Sequence, residues 1–535
     1  MHPRLVFDHG TIRIENARML EIPDARYDER SGTLRAYGMS YPGVLRYLEE
    51  SEIAHDDDVR QYEAMPALYA AMQLRDYQQD AVDSWQRAGM RGCVVLPTGS
   101  GKTAVGMHAI CRAAVPALVL VPTIDLLHQW TEFLRGNLRV MGYERDRADG
   151  GGGDGDANVD ASNGDGGASN GDGGAVAVGR LGGGYDDIRA VTVSTYDSAY
   201  ARAAELGNRF GLLVFDEVHH LPAPGYRLVA EQCIAPFRLG LTATLEREDG
   251  LHSEIPRLAG GVVYTRGSGE LAAKRHLAKY DVQRIRVRLT DAEQAEYAGC
   301  RSKFLAGLRG LGMRTESMYN LKRLILMSNR SKGARGALLA RNRANEIAFN
   351  ASEKTAELGR ILAENCGRAP ARGRGAPGAR RKTIIFTQNN KMAHSISDRF
   401  LIPIITHKTA KAERRDVLDG FRDGRYVAVV TSRVLDEGVD VPDAELGVIV
   451  SGTGSGREMV QRLGRLLRPK RDGARARLIE IVSEETREVG SSARRTAALR
   501  RSAAGGPPGR RPPGPHPPPR GGGGGPAWGG GRSCA

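Results

Sequence analysis

The most specific chemistry in this 535-residue chain lies at positions 96–103, LPTGSGKT. An apolar run ends at Leu96, a glycine-containing loop turns, and a helix is expected from about Lys102. Successive backbone N–H groups of such a loop, with the N-terminus of the helix behind it, hold phosphate oxygens. Lys102 is placed to reach the β- and γ-phosphates of a nucleotide, and the Thr103 hydroxyl to ligate Mg²⁺. The first position of the usual G-x-x-x-x-G-K-[ST] spacing is Leu96 here, so an accidental Gly-rich turn is the competing reading. The second signal is LLVFDEVHH, which puts Asp216 and Glu217 at the end of another apolar run. Ligands gather at the carboxyl ends of buried parallel strands. There Asp216 can hold Mg²⁺ through water, and Glu217 can orient and deprotonate an attacking water. An acidic strand end in solvent is the plain alternative. Zinc binding by His219 and His220 is another, although no H-E-x-x-H spacing accompanies them.

These residues need rigid elements to present them. Short apolar runs such as CVVLP, ALVLVP, VTVST and LLVFDE read as buried strands, separated by longer amphipathic stretches. That alternation is what a parallel sheet with crossover helices requires. The same grammar restarts at TIIFT and continues through VAVVTS, GVIVSG and RLIEIV. The expected fold class is therefore α/β, with two tandem nucleotide-binding-type sheets. A small N-terminal unit, α+β or β-rich, precedes them, and a helical insertion or connector rich in Arg, Leu and Ala follows the first. The expected divisions are 1–66, 67–270, 285–350 (helical), 351–490 and a disordered tail at 491–535.

The net charge of +14 suggests a nucleic-acid binder until it is located. Residues 491–535 hold eight Arg and no acid, and residues 367–382 hold six bases and no acid, so the remaining residues sum to zero. The segment 149–174 is Gly-rich, carries six Asp and reads as a flexible insertion. The 367–382 stretch has the composition of a linker. The excess charge therefore belongs to biased segments, and net charge says little about function. No run of about 18 apolar residues marks a membrane span. The start, MHPRLVFDHG, has no apolar signal core. Six scattered cysteines argue against a disulfide framework, a zinc cluster or an iron–sulfur cluster. A cytoplasmic, nucleoid-associated protein is expected.

Eight segments in order, LRDYQQDAV, LPTGSGKT, VLVPTIDLLHQW, DEVHH, LTATLERED, IIFTQNN, VTSRVLDEGVDVPDA and QRLGRLLRP, resemble the motif set of superfamily-2 helicases. DEVHHLP, the triplet Arg247-Glu248-Asp249 and LDEGVDVPDA are similar to the XPB family of DNA repair helicases in its compact archaeal form. The resemblance covers roughly residues 1–490 and implies two RecA-like domains, ATP and Mg²⁺ as cofactors, and DNA as partner. It makes Arg75 and Gln78 an adenine-reading element. It puts Pro97, Thr98, Gly99, Ser100, Gly101, Lys102 and Thr103 around the phosphates, with Asp216 and Glu217 serving Mg²⁺ and water. Thr242, Ala243 and Thr244 become the segment coupling hydrolysis to movement, and Arg247, Glu248 and Asp249 an unwinding element. Gly438 and Asp440 would sense nucleotide from the second domain, where Gln461, Arg465 and Arg468 meet the γ-phosphate. The i, i+3 spacing of the two arginines puts both on one helix face.

The resemblance further implies a damage-recognition role for the N-terminal residues, a thumb-like role for the helical unit, and a nuclease partner; a monomer is expected. The function so implied is an ATP-dependent 3′–5′ DNA helicase or translocase in nucleotide excision repair. Rival readings are a duplex translocase that remodels protein–DNA complexes without strand separation, an RNA helicase, and an inactive scaffold. Beyond about Thr496 the chain continues in Arg, Gly, Pro and Ala, as GC-rich codons give in any frame. A frameshift starting there is one expectation and a genuine Arg/Gly-rich tail the other.

Overall fold

The computed structural model describes residues 2–62, 65–141, 174–247, 249–273, 280–313, 317–366, 381–432, 444–452 and 476–503. The expected insertion up to 173, the linker from 367 to 380 and the tail from 504 lie outside the described residues. So do Glu248, Gly438, Asp440, Gln461, Arg465 and Arg468.

The N-terminal unit is a five-stranded sheet with one helix. Its elements are β1 (Arg4–Asp8), β2 (Thr11–Glu15), β3 (Arg26–Asp28), β4 (Thr33–Tyr37), α1 (Tyr41–Glu50) and β5 (Asp56–Asp58), in strand order β3-β4-β2-β1-β5. His9 and Gly10 close the β1–β2 hairpin at φ 47° and 84°, the left-handed pair that a two-residue turn requires. Alternation along the strands sends Leu5, Ile12, Ile14, Leu34 and Ala36 to one face, where Tyr41, Val44 and Leu48 of α1 cover them.

The first large sheet follows. Its elements run β6 (Leu68–Ala70), α2 (Asp76–Arg87), β7 (Arg91–Val95), α3 (Lys102–Ala113), β8 (Ala117–Val121), α4 (Ile124–Asn137), β9 (Leu138–Val140), β10 (Val178–Gly182) and β11 (Tyr185–Asp187). They continue β12 (Val191–Thr195), α5 (Tyr196–Ala201), α6 (Ala203–Leu206), β13 (Leu212–Asp216), α7 (Arg227–Gln232), β14 (Phe237–Thr242), α8 (Ile255–Leu258), β15 (Val262–Thr265) and α9 (Ser268–Ala273). Eight strands lie in the order β11-β10-β12-β8-β13-β14-β7-β15, parallel except for β11 against β10, and β6 pairs with β9 apart from them. β8, β12 and β13 are buried along their whole length, which is why they read as unbroken apolar runs.

The second sheet begins earlier than the sequence suggested. β16 (Tyr280–Val287) pairs in parallel with β21 (Ala476–Ser483). Between them come α10 (Asp291–Gly310), α11 (Met318–Ser328), α12 (Lys332–Phe349), α13 (Ser352–Cys366), β17 (Thr383–Phe386), α14 (Asn390–Phe400), β18 (Ile404–Ile405), α15 (Lys411–Arg422), β19 (Ala428–Thr431) and β20 (Leu446–Ile449). The order is β16-β21-β20-β17-β19-β18, all parallel. The expectation that 285–350 forms one helical unit needs correcting, because Ile285 to Val287 are strand and α10 starts at Asp291. Helices α10 to α12 are thus inserted after the sheet's first strand. They have their own small core around Phe304, Leu308, Leu324 and Ala337, and a Cβ on Gly307 would meet the Ala337 Cβ at 2.6 Å.

The tail reading needs a second correction. Residues 491–503 belong to α16 (Arg487–Ala503), which lies against β21 with Glu488, Ser492, Arg495 and Leu499 buried. Leu499 shares one apolar cluster with Leu271 and Ala272 of α9 and with Ile384 and Phe386 of β17, so the two sheets meet along a common seam. A polar link adds to it, since Arg414 of α15 donates to Asp125 of α4 at 3.0 Å.

The N-terminal sheet is fastened to the first large sheet at Gln232, the last residue of α7. Gly10, Gly38 and Gly207 surround it so closely that a Cβ on each would lie 2.6, 2.3 and 2.4 Å from Gln232 atoms. Ile234 is buried within the N-terminal core, and the Asn208 side-chain amide donates to the Val59 carbonyl at 2.9 Å. Among the described residues no helix is long and apolar enough to cross a membrane.

Candidate nucleotide site

Three adjacent strands, β13, β14 and β7, bring their carboxyl ends to one edge, the position where parallel sheets take ligands. Beyond β7 comes the loop 96–101, and α3 starts at Lys102, as the sequence suggested. The loop is shaped by two left-handed glycines, Gly99 at φ 80° and Gly101 at φ 78°. Such angles suit glycine and cost other residues about 1–2 kcal/mol. Pro97 and Ser100 are buried, the Ser100 N–H donating to the Pro97 carbonyl at 3.2 Å. Lys102 reaches back to the Leu96 carbonyl at 3.5 Å, and Thr103 is half-buried in the first turn of α3.

Gln78 approaches this loop from α2, but not with a free amide. Its Oε1 accepts from the Arg75 backbone N–H at 2.9 Å, while Nε2 donates to the Ser100 carbonyl at 2.8 Å. Tyr77 Oη donates to the same carbonyl at 2.6 Å. Here Gln78 and Tyr77 hold the loop's outer turn; the Arg75 side chain is exposed at the start of α2. A Cβ on Gly101 would sit 2.5 Å from Gln78 Nε2. Gly101→Ala is therefore expected to raise KM for ATP roughly tenfold, since each ~1.4 kcal/mol of strain is a factor of ten. An ATP saturation curve with unchanged KM would show that the loop yields without cost.

Asp216 ends β13 in a fully enclosed position. The Trp130 indole N–H donates to its Oδ2 at 2.8 Å, and Tyr196 Oη donates to its main-chain carbonyl at 3.0 Å. Burial and the adjacent Glu217 carboxylate push the Asp216 carboxyl up to about 6, against the pull of Lys102 and Trp130. Glu217 itself adopts φ 47°, a left-handed conformation uncommon for a residue with a side chain. That kink turns its carboxylate to Thr242 Oγ1 at 3.3 Å and His219 Nδ1 at 3.4 Å.

Thr242, at the end of β14, is the joint of the site. Its carbonyl accepts from the Leu96 N–H at 3.0 Å, tying it to the phosphate loop. Its hydroxyl lies near Glu217 and His219 (3.1 Å), contacts the Thr244 carbonyl at 2.8 Å and accepts from the Thr244 N–H at 3.2 Å. Ala243 between them is buried. Arg247 closes the group: it forks onto the Asp249 carboxylate at 2.7 and 2.9 Å and donates to the His219 carbonyl. The same guanidinium holds the Asp249 carboxyl well below the usual carboxylate range. The sequence reading missed Trp130 and the positioning role of His219, although both stand inside quoted motifs. It also passed over Gly182, Gly183 and Gly184, a turn with three positive φ angles lying against Ile124, Thr195 and Ser198.

The residues fit a nucleoside triphosphate with its cation. Thr98 Oγ1, Ser100 Oγ and Thr244 Oγ1 are buried without a hydrogen-bond partner among the described residues. A buried carboxyl raised by its own environment also gains most from a cation beside it.

Three family models match the chain. They are the res subunit of type III restriction enzymes over residues 71–247, the ERCC3/RAD25/XPB C-terminal helicase over 378–501, and the xeroderma pigmentosum group B helicase damage recognition domain over 5–59. The DNA 3′-5′ translocase XPB2 of Sulfurisphaera tokodaii is 39% identical over 472 residues, 88% of this chain and 95% of that one. The DNA 3′-5′ helicase XPB of Mycobacterium tuberculosis is 30% identical over 77% of this chain and 61% of its own. The putative DNA 3′-5′ helicase Rad25 of Haloarcula marismortui is 31% identical over 78% and 53%. With a helicase-type nucleotide site between adjacent strand ends and a relative matched along nearly its whole length, the chain belongs to the XPB helicase family.

Proposed function

We propose that this chain is an ATP-dependent 3′–5′ DNA helicase or translocase serving nucleotide excision repair. The observation that carries the reading is the joint at Thr242, which touches the phosphate loop through Leu96 and the Glu217 carboxylate through its hydroxyl. A change at the γ-phosphate can therefore be passed to the 242–249 segment without a long relay. In this reading residues 97–103 hold the phosphates, Lys102 offsets their charge, and Glu217 takes the proton of the attacking water. Thr103 and Asp216 would hold Mg²⁺, which supplies positive charge to the phosphoryl oxygens when bound.

By their likeness to the family motifs, Gln461, Arg465 and Arg468 would meet the γ-phosphate, and Gly438 and Asp440 would sense the nucleotide; all five lie outside the described residues. Loss of the γ-phosphate link opens the cleft and passes a DNA strand along the two sheets. Contacts to that strand are phosphate-directed and indifferent to sequence. The N-terminal sheet engages damaged DNA, the α10–α12 unit acts as a thumb, and a nuclease takes the product; the protein works as a monomer on nucleoid DNA.

A second reading, duplex translocation without strand separation, is favoured by the translocase name of the Sulfurisphaera relative. Displacement of a labelled strand from a forked duplex, run beside displacement of a triplex-forming oligonucleotide, separates the two. Fork unwinding is expected. Triplex displacement alone would favour the second reading, and ATP turnover unresponsive to any DNA would sink both.

A further inference from the structure

Strand β20 gives way to three buried residues, Val450, Ser451 and Gly452, immediately ahead of the stretch that carries Gln461, Arg465 and Arg468. Each of the three is held by a group from another element. Lys354 of α13 donates to the Val450 carbonyl at 2.8 Å. The Gln388 N–H, after β17, donates to the Ser451 hydroxyl at 3.0 Å. Arg495 of α16 donates to the Gly452 carbonyl at 3.1 Å. Both cations are enclosed and each meets a buried carboxylate, the one at Arg495 being shared with Arg284. Lys354 lies 2.6 Å from Glu488, which also accepts from the Ser483 N–H at 3.0 Å. Arg495 Nε donates to Glu480 at 2.6 Å, and Glu480 accepts from the Ser492 hydroxyl at 2.5 Å.

Two enclosed ion pairs are an expensive way to satisfy two carbonyls, because desolvating the charges offsets most of their attraction. Apolar replacements of equal volume are often as stable. What an ion pair adds is direction: a guanidinium forked between a carboxylate and a carbonyl fixes the orientation of both. The direction fixed here is that of the main chain as it leaves β20. We propose that Arg495, seconded by Lys354, is a positioning residue for ATP hydrolysis, by fixing the main chain at 450–452, the described residues that precede Arg465 and Arg468 in sequence. The proposal rests on the ATPase reading given above, and it assigns a catalytic consequence to a helix of Arg/Ala/Ser composition.

DNA-stimulated ATP turnover of the full chain tests it. Arg495→Met combined with Glu480→Leu removes both partners of the enclosed pair, while half-buried Arg284, which also faces Glu480 at 3.4 Å, keeps the Ser492 carbonyl and the Thr496 hydroxyl. The double variant is expected to lower kcat at least 30-fold, with KM for ATP and the melting temperature little changed. If that variant does not fold, Arg495→Lys keeps the charge and loses the fork, and a kcat loss of about tenfold is expected. In an Arg465→Ala background either change should have no further effect on kcat, since it acts through that arginine. Unchanged kcat in a folded variant, a joint change in kcat and KM, or a full additional loss beside Arg465→Ala would each overturn the assignment. Wild-type protein without DNA-stimulated turnover would instead overturn the ATPase reading itself.

Discussion

Glu217→Gln is expected to cut DNA-stimulated ATP turnover by 10²–10⁴, the range that loss of a positioned general base produces, while ATP still binds. The amide keeps the size of the carboxylate, and its oxygen can still take the place of Oε2 beside Thr242 at 3.3 Å. What it loses is the capacity to accept a proton from water. Lys102→Ala should lose on the order of 10³, comparable with removing one strong charge-stabilising donor, and should weaken ATP binding as well. Together the two variants separate chemistry from binding. Binding of a fluorescent ATP analogue, measured beside phosphate release, reads both quantities. Normal turnover in Glu217→Gln would remove the proposed base, and normal turnover in both would remove the site.

The second large effect concerns stability. Arg238, in β14, is fully buried, and its guanidinium donates to the carbonyls of Ala230, Cys233, Ala235 and Leu258 at 2.6–3.2 Å. These carbonyls belong to the ends of α7 and α8 and the turn between α7 and β14. A helix C-terminus leaves carbonyls unpaired and attracts cations, and one side chain here serves two such ends. Burial pulls the guanidinium down to about 9, far below its ordinary value. Arg238→Met would fill the space and leave the carbonyls bare, each worth about 1–3 kcal/mol when stripped of its partner. A loss of about 4 kcal/mol is expected, or roughly 8–16 °C in the melting of the first sheet at 2–4 °C per kcal/mol. Thermal unfolding monitored by circular dichroism measures it. A shift under 3 °C would mean that water or a local shift replaces the guanidinium.

The legible parts of the molecule were those where one short segment holds its own signal. LPTGSGKT and LLVFD announce a loop and a buried strand because local composition and local geometry coincide. The contact between Trp130 and Asp216 joins residues 86 positions apart and has no local mark. β16 was hidden for a different reason. Its sequence, YDVQRIRV, mixes charged and polar residues with apolar ones, and it lies at the edge of the second sheet, where Arg284 faces Glu480 at 3.4 Å. A search for wholly apolar strands passes over such an edge. In α16 the Arg/Ala/Ser composition suggested disorder, yet Glu488, Ser492, Arg495 and Leu499 recur at helical spacing and all are buried. Spacing was the available signal, and composition obscured it. Within that helix Thr496 Oγ1 accepts from Arg284 at 2.5 Å, and the XPB C-terminal match extends to residue 501.

The crowding of Gly10, Gly38 and Gly207 around Gln232 leaves no slack between the N-terminal sheet and the first large sheet. With Ile234 sunk into the smaller core, the joint behaves as a weld and not as a hinge. On the proposed function, whatever the N-terminal sheet grips would be carried in the frame of the nucleotide-loop half, while the other half would move relative to both. A lesion held there would stay at a constant distance from the phosphate loop through each cycle. Sliding DNA would be measured against it as against a fixed ruler, and the stroke would be felt as tension on the strand between the halves.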